Sequence, residues 1–278
     1  APDMMGSLVV SKPQLKEDVW KATDLSGTGE TVKDELKRIG YLGDVKCGSV
    51  AIDAYLELHI EQGPILEQES IPIGVVEKVQ GIFWTEYILT GQAAHAGTTP
   101  LMSRKDPGLV ASAVNLFARK MALESPGQLC TIGLMEYFPN VINVVPQQVR
   151  FVTDLRNPND SRLQSAQQTL DQFIQREAAA AHVALQRFER VRLQSVDFSQ
   201  EVVKVIESSA AELRLSFRRM VSGAGHDAQM MAAVSKAAMI FVPSVNGISH
   251  NEAEYTAPDD LVNGANVLLH AALRLANS

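Results

Sequence analysis

The chain has 278 residues, of which 46% are hydrophobic and 21% charged, which leaves room for one large folded domain or two smaller ones. Its formal net charge of -7 is spread along the chain, and no run of lysine and arginine predicts a surface for nucleic acid. No apolar stretch approaches the roughly 20 residues of a membrane helix, and the first residues lack the pattern of a signal peptide. We therefore expect a cytoplasmic protein that binds neither nucleic acid nor membrane.

The first part of the chain is predicted to contain two helices followed by two strands. Helices are expected at residues 14–22 and 30–39, and Gly40 follows the second as a C-terminal cap. Alternating apolar residues predict a strand at 54–60, and a second strand is expected at 73–79. Between them, Pro64 is placed to open a short helix.

The middle of the chain predicts a second kind of fold. Its elements follow the order β-α-β-β-α-β, with strands at 84–90, 129–137, 149–155 and 183–190 and helices at 107–123 and 161–181. After it, a helix at 200–213, a glycine loop, a helix from Asp227, a strand at 238–242 and a helix from Pro258 return to an α/β pattern. The sequence thus predicts a host α/β domain interrupted by a smaller α+β domain.

The segment LELHIEQGP at residues 56–64 places His59 and Gln62 where a predicted strand ends and a helix begins. Ligand sites of α/β sheets gather at that position, and a neutral imidazole is a suitable ligand for zinc, manganese or cobalt. The alternative is that His59 is a half-buried strand histidine without a metal.

A second histidine, His95, lies in the small-residue segment GQAAHAGTTP at residues 91–100. A histidine N–H in such a loop is suited to polarising a substrate carbonyl and stabilising a developing oxyanion. The alternative is a turn in which His95 is merely solvated.

Asn143 and Arg156 lie at the two ends of a hairpin-like pair of predicted strands, so that their polar groups could meet. Arginine binds carboxylates in a bidentate manner, and a side-chain amide can recognise a ureido or carboxyl group. For Arg156, a salt bridge with Asp154 or Asp160 is an equally good interpretation.

The segment SGAGHDA at residues 222–228 only superficially matches a dinucleotide-binding fingerprint. Residues 216–220 are basic and do not read as an apolar strand, and the region near Val245 lacks the acidic residue expected about 20 positions on. A loop that offers backbone N–H groups to an anionic substrate explains the glycines better.

His250 follows the apolar strand at 238–242 after a short loop, again on the side of an α/β sheet where ligands bind. It is a second candidate metal ligand. The alternative is a loop histidine hydrogen-bonded to Glu252 or Glu254.

Taken in order, these motifs resemble the family of N-carbamoyl-L-amino-acid hydrolases, β-ureidopropionases and allantoate amidohydrolases, within the zinc aminoacylase-like superfamily. The resemblance extends from about Gly6 to Leu273. It is carried by ELHIEQGP at 57–64, HAGTTP at 95–100, Asn143, DLR at 154–156, SGAGHDA at 222–228 and SHNE at 249–252.

The resemblance implies a catalytic α/β domain at residues 1–80 and 193–278 and an inserted α+β lid and dimerisation domain at 81–192. It implies two divalent metals, zinc or else manganese, cobalt or nickel, with one held by His59 and the other by His250. It also implies that His95 acts in catalysis by reaching across a homodimer into the partner's site. The implied substrate-binding residues are Gln62, Asn143, Arg156, Gly225 and His226.

The implied reaction is hydrolysis of an N-carbamoyl-L-amino acid or a related ureido acid to an amino acid, carbon dioxide and ammonia. A metal-activated water attacks the ureido carbonyl, and a glutamate acts as the general base.

The sequence departs from the family in one respect. The family's first metal histidine, its bridging aspartate and a Glu-Glu pair precede a Gly-Ser like Gly6-Ser7, whereas five residues precede Gly6 here. Since a catalytic zinc takes about three protein ligands, two isolated histidines cannot hold two metals. We therefore expect a partial catalytic domain in an N-terminally truncated, inactive fragment.

Three other functions remain open from the sequence. One is an allantoate amidohydrolase, and another is a non-catalytic dimeric binding protein derived from the same family. The third, an exopeptidase or aminoacylase, is weaker because HIEQ at residues 59–62 resembles the ureido-specific branch.

Overall fold

The structure is a computed structural model that describes residues 4–24 and 27–277. The chain divides into two compact units. Unit 1 consists of Ala1–Val79 and Val196–Ser278, and unit 2 of Gln80–Ser195. The predicted two-part α/β fold with an inserted α+β portion is confirmed. The segment between the helices predicted at residues 14–22 and 30–39 includes residues 25 and 26, which lie outside the described residues.

Unit 1 is built around a mixed sheet. Its helices are α1 (Met5–Ser11), α2 (Lys16–Trp20), α3 (Val32–Arg38), α4 (Ile65–Glu69), α7 (Gln200–Glu212), α8 (Asp227–Met231) and α9 (Pro258–Ala276). Its strands are β1 (Ala54–Ile60), β2 (Ile73–Val79), β9 (Val196–Asp197), β10 (Phe217–Ser222) and β11 (Lys236–Val242).

The sheet of unit 1 has the strand order β1-β11-β2-β10, and the short β9 pairs with β2. β1 runs parallel to β11 and β10 runs parallel to β2, while β11 and β2 are antiparallel. Residues 237–242 of β11 are all buried, because helices α7, α8 and α9 pack against this strand. Because helices cover this strand, its residues form a continuous apolar run.

Unit 2 contains a four-stranded antiparallel sheet with the strand order β5-β7-β3-β8. Its elements are β3 (Gly81–Thr90), β4 (Ala94–His95), α5 (Pro107–Glu124), β5 (Leu129–Phe138), β6 (Val144–Val145), β7 (Gln148–Asn157), α6 (Asp160–Ala180) and β8 (Ala184–Leu193). β7 alternates between buried and half-buried residues, and its buried side chains join those of α5 and α6 in one core. Without the short β4 and β6, the order is the predicted β-α-β-β-α-β.

Unit 1 differs from the sequence prediction near its first helices and at strand β10. Helix α1 was not predicted, and the helix expected at 14–22 is a 3-10 turn at Pro13–Leu15 that continues into α2. Strand β10 was also missed, because Arg218 and Arg219 make the segment look basic. Both arginines are paired: Arg218 contacts Glu69, and Arg219 contacts Glu77 and Glu207.

Within the described residues, no helix combines the length and apolar character needed to cross a membrane.

Close packing of α9 on β1 and β11 gives a test of the fold. A Cβ atom at Gly264 would lie 2.5 Å from Cγ1 of Val242 and 2.8 Å from Cδ1 of Leu58. We predict that Gly264→Ala lowers the free energy of unfolding by about 1–3 kcal/mol through overpacking, as measured by urea denaturation.

The matched control is Gly6→Ala in α1, where a Cβ atom would meet no atom of the described residues within 4 Å. Because alanine favours helix over glycine, this change should be neutral or stabilise by up to about 1 kcal/mol. Equal effects of the two substitutions would contradict the packing described for α9.

Candidate active site

The candidate site of unit 1 lies where β1 and β11 end. The two strands are parallel, with His59 opposite Phe241 and Ile60 opposite Val242. The next backbone N–H, that of Glu61, donates to the carbonyl of Val242 at 2.9 Å. The loops that follow the two strands, one with Gln62 and the other with His250, therefore start side by side.

His59 is half-buried on β1, and its Nδ1 lies 2.8 Å from the carbonyl oxygen of Ile60. A carbonyl only accepts, so this contact assigns the ring proton to Nδ1 and leaves a lone pair on Nε2. No group among residues 4–24 and 27–277 hydrogen-bonds to that Nε2. This is the tautomer that a histidine ligand needs.

Gln62 and His250 are joined through a chain of polar contacts. Nε2 of Gln62 donates to Oγ of Ser249 at 3.0 Å, and Ser249 donates to Oε2 of Glu254 at 2.7 Å. The same Oε2 accepts the backbone N–H of His250 at 3.2 Å, and Nε2 of His250 lies 3.4 Å from Nε2 of Gln62. The predicted residues Gln62 and His250 therefore lie together.

The hydrogen bond from Ser249 and the one from the His250 N–H lower the pKa of Glu254, and the nearby His250 and His59 rings lower it further. These contributions outweigh the small effect of burial, which raises it. Glu254 is therefore ionised at neutral pH.

Both loops contain backbone strain at these positions. Gln62 has a φ of 57° and His250 a φ of 55°, a left-handed conformation that costs a residue other than glycine about 1–3 kcal/mol. The N–H of Gln62 is held by Oγ of Ser244 at 3.0 Å. Gly247 lies against Pro64, where a Cβ atom would come within 2.9 Å of the proline nitrogen. Strain of this kind is found at ligand-binding sites.

The buried imidazole of His226 lies next to His59. His226 is 4% exposed, with its Nε2 2.8 Å from Oγ of Ser222 and its Nδ1 3.5 Å from Oε1 of Glu57. The other carboxylate oxygen of Glu57 accepts the N–H of Ala228 at 2.7 Å. Sequence reasoning missed Glu57, although it lies on the same face of β1 as His59, two residues away.

The rings of His59 and His226 meet edge to face, with their centroids 4.6 Å apart. Burial raises the pKa of Glu57, but the contact with His226, the N–H of Ala228 and the charges of His226 and His59 outweigh it, and the pKa lies below its usual value. The ionised carboxylate is thus placed to fix the orientation of the His226 ring.

The glycine loop follows strand β10, so the expectation that no strand precedes it was wrong. The missing acidic residue remains an argument against a dinucleotide fingerprint. Gly225 is exposed, and a Cβ atom there would lie 3.3 Å from Cε of Met4. In the part of the chain that the structure describes, no acceptor binds the N–H groups of Gly225 and His226. Because Gly225 is exposed, its N–H is available to a ligand oxygen.

In unit 2, the exposed His95 lies on the short strand β4. Its Nδ1 accepts the backbone N–H of Gly97 at 3.0 Å and that of Thr98 at 3.2 Å. The proton of the neutral ring therefore lies on Nε2. His95 offers an N–H donor to solvent, as its predicted role requires.

Asn143 lies next to the His95 loop, because its carbonyl accepts the N–H of Ala96 at 2.9 Å and β4 pairs with β6. The loop is braced by Arg104, which donates to the carbonyls of Ala96 and Thr99. Sequence reasoning did not identify Arg104.

Arg156 lies near the end of β7, opposite Ile82 of β3. Its guanidinium contacts Asp154 in a bidentate manner at 2.9 and 2.7 Å, which is the salt bridge that the sequence left open. The register of β7 with β5 pairs Gln148 with Phe138 at the end next to the Asn143 loop and Arg156 with Leu129 at the opposite end. The expected meeting of Arg156 with Asn143 within one chain is therefore wrong, and a contact of either side chain with a substrate stays a prediction.

The described donors do not fit a two-metal centre by themselves. Within residues 4–24 and 27–277, no three side chains of His, Cys, Asp or Glu converge as metal ligands. A catalytic zinc takes about three protein ligands. His59 and His250 are therefore single candidate donors.

Comparison with known proteins matches residues 23–274 to peptidase family M20/M25/M40. The chain is 38% identical over 277 residues to an N-carbamoyl-L-amino-acid amidohydrolase of Rhizobium meliloti, covering 99% of this chain and 66% of the relative. It is 34% identical over 226 residues to an allantoate amidohydrolase of Escherichia coli K12, covering 81% of this chain and 55% of the relative.

Among solved structures, an amidase of the hydantoinase/carbamoylase family from Burkholderia multivorans superposes with a TM-score of 0.90 at 42% identity. The match covers 98% of this chain and 66% of that one. The chain spans 47% to 66% of the length of the curated relatives that it matches. The resemblance stated from the sequence motifs is confirmed.

Proposed function

The chain belongs to peptidase family M20/M25/M40, and we propose that it forms the substrate-binding part of an amidohydrolase that cleaves N-carbamoyl-L-amino acids or a related ureido acid. The observation that carries the proposal is the junction of two strained loops at the ends of β1 and β11. That junction holds His59, Gln62 and His250 together in a chain whose relatives include N-carbamoyl-L-amino-acid amidohydrolases.

The proposed roles follow from the donors and acceptors that each unit offers. In unit 1, Gln62 and the N–H of Gly225 bind the substrate. In unit 2, Arg156 binds its carboxylate, Asn143 binds the substrate beside His95, and the Nε2–H of His95 stabilises the oxyanion. For His226 the buried ring favours positioning of His59 over direct substrate contact.

We propose that the enzyme uses two divalent metals, zinc or else manganese, cobalt or nickel, with His59 and His250 as one donor each. Because the described residues offer no cluster of three donors, we propose that the other metal ligands and the glutamate base lie outside them. It follows that this chain alone is inactive.

A cytoplasmic location is also proposed. Cys47 and Cys130 are both free in the described structure, which fits a reducing compartment.

The substrate proposal predicts ammonia release. The protein at its full natural length, supplied with zinc, manganese or cobalt, should release ammonia from N-carbamoyl-L-amino acids in a coupled assay. A chelator should abolish the activity, and Gln62→Ala should reduce kcat/KM by about tenfold or more through the loss of a hydrogen bond to the substrate. Absence of turnover with every N-carbamoyl-L-amino acid and every metal would contradict the proposal.

A second candidate is an allantoate amidohydrolase, favoured by the Escherichia coli relative. Allantoate in the same assay separates the two, because the true substrate has the higher kcat/KM. A non-catalytic dimeric binding protein is favoured only by the incomplete donor set, and it would bind a ureido acid at full length without releasing ammonia.

We further propose a homodimer through unit 2, in which His95 reaches the partner's site. Leu109, Leu116 and Leu123 recur every seven residues along α5 and are 67%, 76% and 73% exposed. The spacing is symmetric about Leu116, so a two-fold axis there would place Leu109 against Leu123 of the partner subunit. A self-complementary surface of this kind is what a two-fold dimer requires.

The strand beside this helix supports the same surface. β5 packs against α5 and lies at the edge of the sheet, where its only strand partner among the described residues is β7. Leu129 and Phe138, at its two ends, are 54% and 64% exposed. If the β5 strands of two subunits paired antiparallel, Leu129 of one would lie opposite Phe138 of the partner subunit. This pairing would also cover the open edge of the sheet.

The dimer proposal predicts that Leu116→Glu converts the protein to a monomer, because it places two carboxylates at the two-fold axis. Size-exclusion chromatography with light scattering measures the mass. The matched control is Leu269→Glu, which changes an exposed leucine of α9 in unit 1 and should leave the dimer intact. A Leu116→Glu dimer, or a wild-type monomer, would reject this surface.

A further inference from the structure

Ser249 connects the amide of Gln62 to the carboxylate of Glu254. The serine hydroxyl donates to Glu254 at 2.7 Å and accepts from Nε2 of Gln62 at 3.0 Å. All three residues belong to unit 1.

The direction of these hydrogen bonds follows from the chemistry of the groups. An ionised carboxylate only accepts, so the single hydroxyl proton of Ser249 is used on Glu254. The serine oxygen can then only accept from Gln62, which requires the NH₂ end of the amide to face it.

The carbonyl oxygen of the amide, Oε1 of Gln62, is consequently directed away from Ser249. In the described part of the chain, no donor hydrogen-bonds to Oε1 of Gln62. The backbone at Gln62 is held in place, because its N–H is bound to Oγ of Ser244 and its φ of 57° is left-handed. The starting direction of the side chain is therefore fixed. Gln62 therefore presents a hydrogen-bond acceptor to a ligand.

We infer that Ser249 and Glu254 are positioning residues that fix the polarity of the Gln62 amide, so that its Oε1 selects a ligand with an N–H donor at the facing position. In naming that donor as the terminal NH₂ of a ureido group, the inference rests on the proposed function. An N-acetyl group has the same shape as an N-carbamoyl group but a methyl in place of NH₂. The methyl group cannot donate a hydrogen bond and leaves Oε1 of Gln62 without a partner, which weakens binding of the N-acetyl ligand.

The experiment uses the purified full chain and the matched ligands N-carbamoyl-L-alanine and N-acetyl-L-alanine, with both dissociation constants measured by isothermal titration calorimetry. The wild type should bind the carbamoyl ligand about tenfold more tightly than the acetyl ligand. Ser249→Ala and Glu254→Ala free the amide to rotate, and they should bring this ratio close to one. A purely structural defect would weaken both ligands equally and leave the ratio unchanged.

Glu254→Gln is the conservative control. Its amide oxygen can accept from both Ser249 and the His250 N–H, as the carboxylate does, so the ratio should stay near the wild-type value. If Ser249→Ala keeps the wild-type ratio, the inference is wrong.

A second measurement does not depend on the ligand. In protein labelled with ¹⁵N at glutamine side chains, the NH₂ protons of Gln62, assigned through Gln62→Ala, should exchange with solvent at least about tenfold more slowly than a free amide, because they are hydrogen-bonded. The protection should persist in Glu254→Gln and disappear in Ser249→Ala and Glu254→Ala. Equal exchange in wild type and Ser249→Ala overturns the inference.

The two measurements separate this inference from the proposed function. If neither ligand binds the wild type but the exchange pattern is as predicted, the positioning of Gln62 stands and the ureido ligand is wrong. If the carbamoyl ligand binds and the exchange pattern fails, the ligand class stands and the positioning role is wrong.

Discussion

The candidate site depends on the parallel pairing of β1 with β11. These strands are far apart in sequence, yet the register that places Ile60 opposite Val242 also makes both end at one edge of the sheet. A shift of one residue would turn His59 to the other face of β1 and separate its loop from that of His250. Close packing of α9, through Gly264, on Leu58 and Val242 helps to hold this register.

On this frame, two polar networks contact the proposed site residues His59 and Gln62. One consists of Glu57, His226 and Ser222 and lies next to the ring of His59. The other runs from Glu254 through Ser249 to Gln62. In the second network, the carboxylate of Glu254 can only accept, and it therefore determines the direction of the hydrogen bonds of Ser249 and Gln62. Left-handed backbone at Gln62 and His250 is tolerated because contacts on both sides hold the loops in place.

Much of this frame could be predicted from the sequence, because it follows from local pattern. Alternating residues gave the limits of β1, and a continuous apolar run located β11. β10 was missed because its arginines form ion pairs with Glu77 and Glu207, which are distant in sequence. The positions of His59, Gln62 and His250 were likewise predictable from where each strand ends.

The finer arrangement of the site could not be predicted in the same way. The direction of the Gln62 amide depends on its hydrogen bond to Ser249, which is bound in turn to Glu254, and both residues are about 190 positions further along the chain. For Arg156, the sequence left a salt bridge and a substrate contact open, and the structure places Asp154 on the guanidinium. Donor and acceptor roles arise from folded geometry, and residue type alone does not determine them.

The central proposal is that this chain orients a substrate at the β1 and β11 loops, while its described residues offer only part of a metal centre. Equilibrium dialysis against zinc or manganese, followed by elemental analysis, tests it most directly. The account predicts fewer than two tightly bound metal ions per chain, with the residual binding weakened by His59→Ala and by His250→Ala. Two tightly bound ions in this chain, retained in both variants, would contradict it.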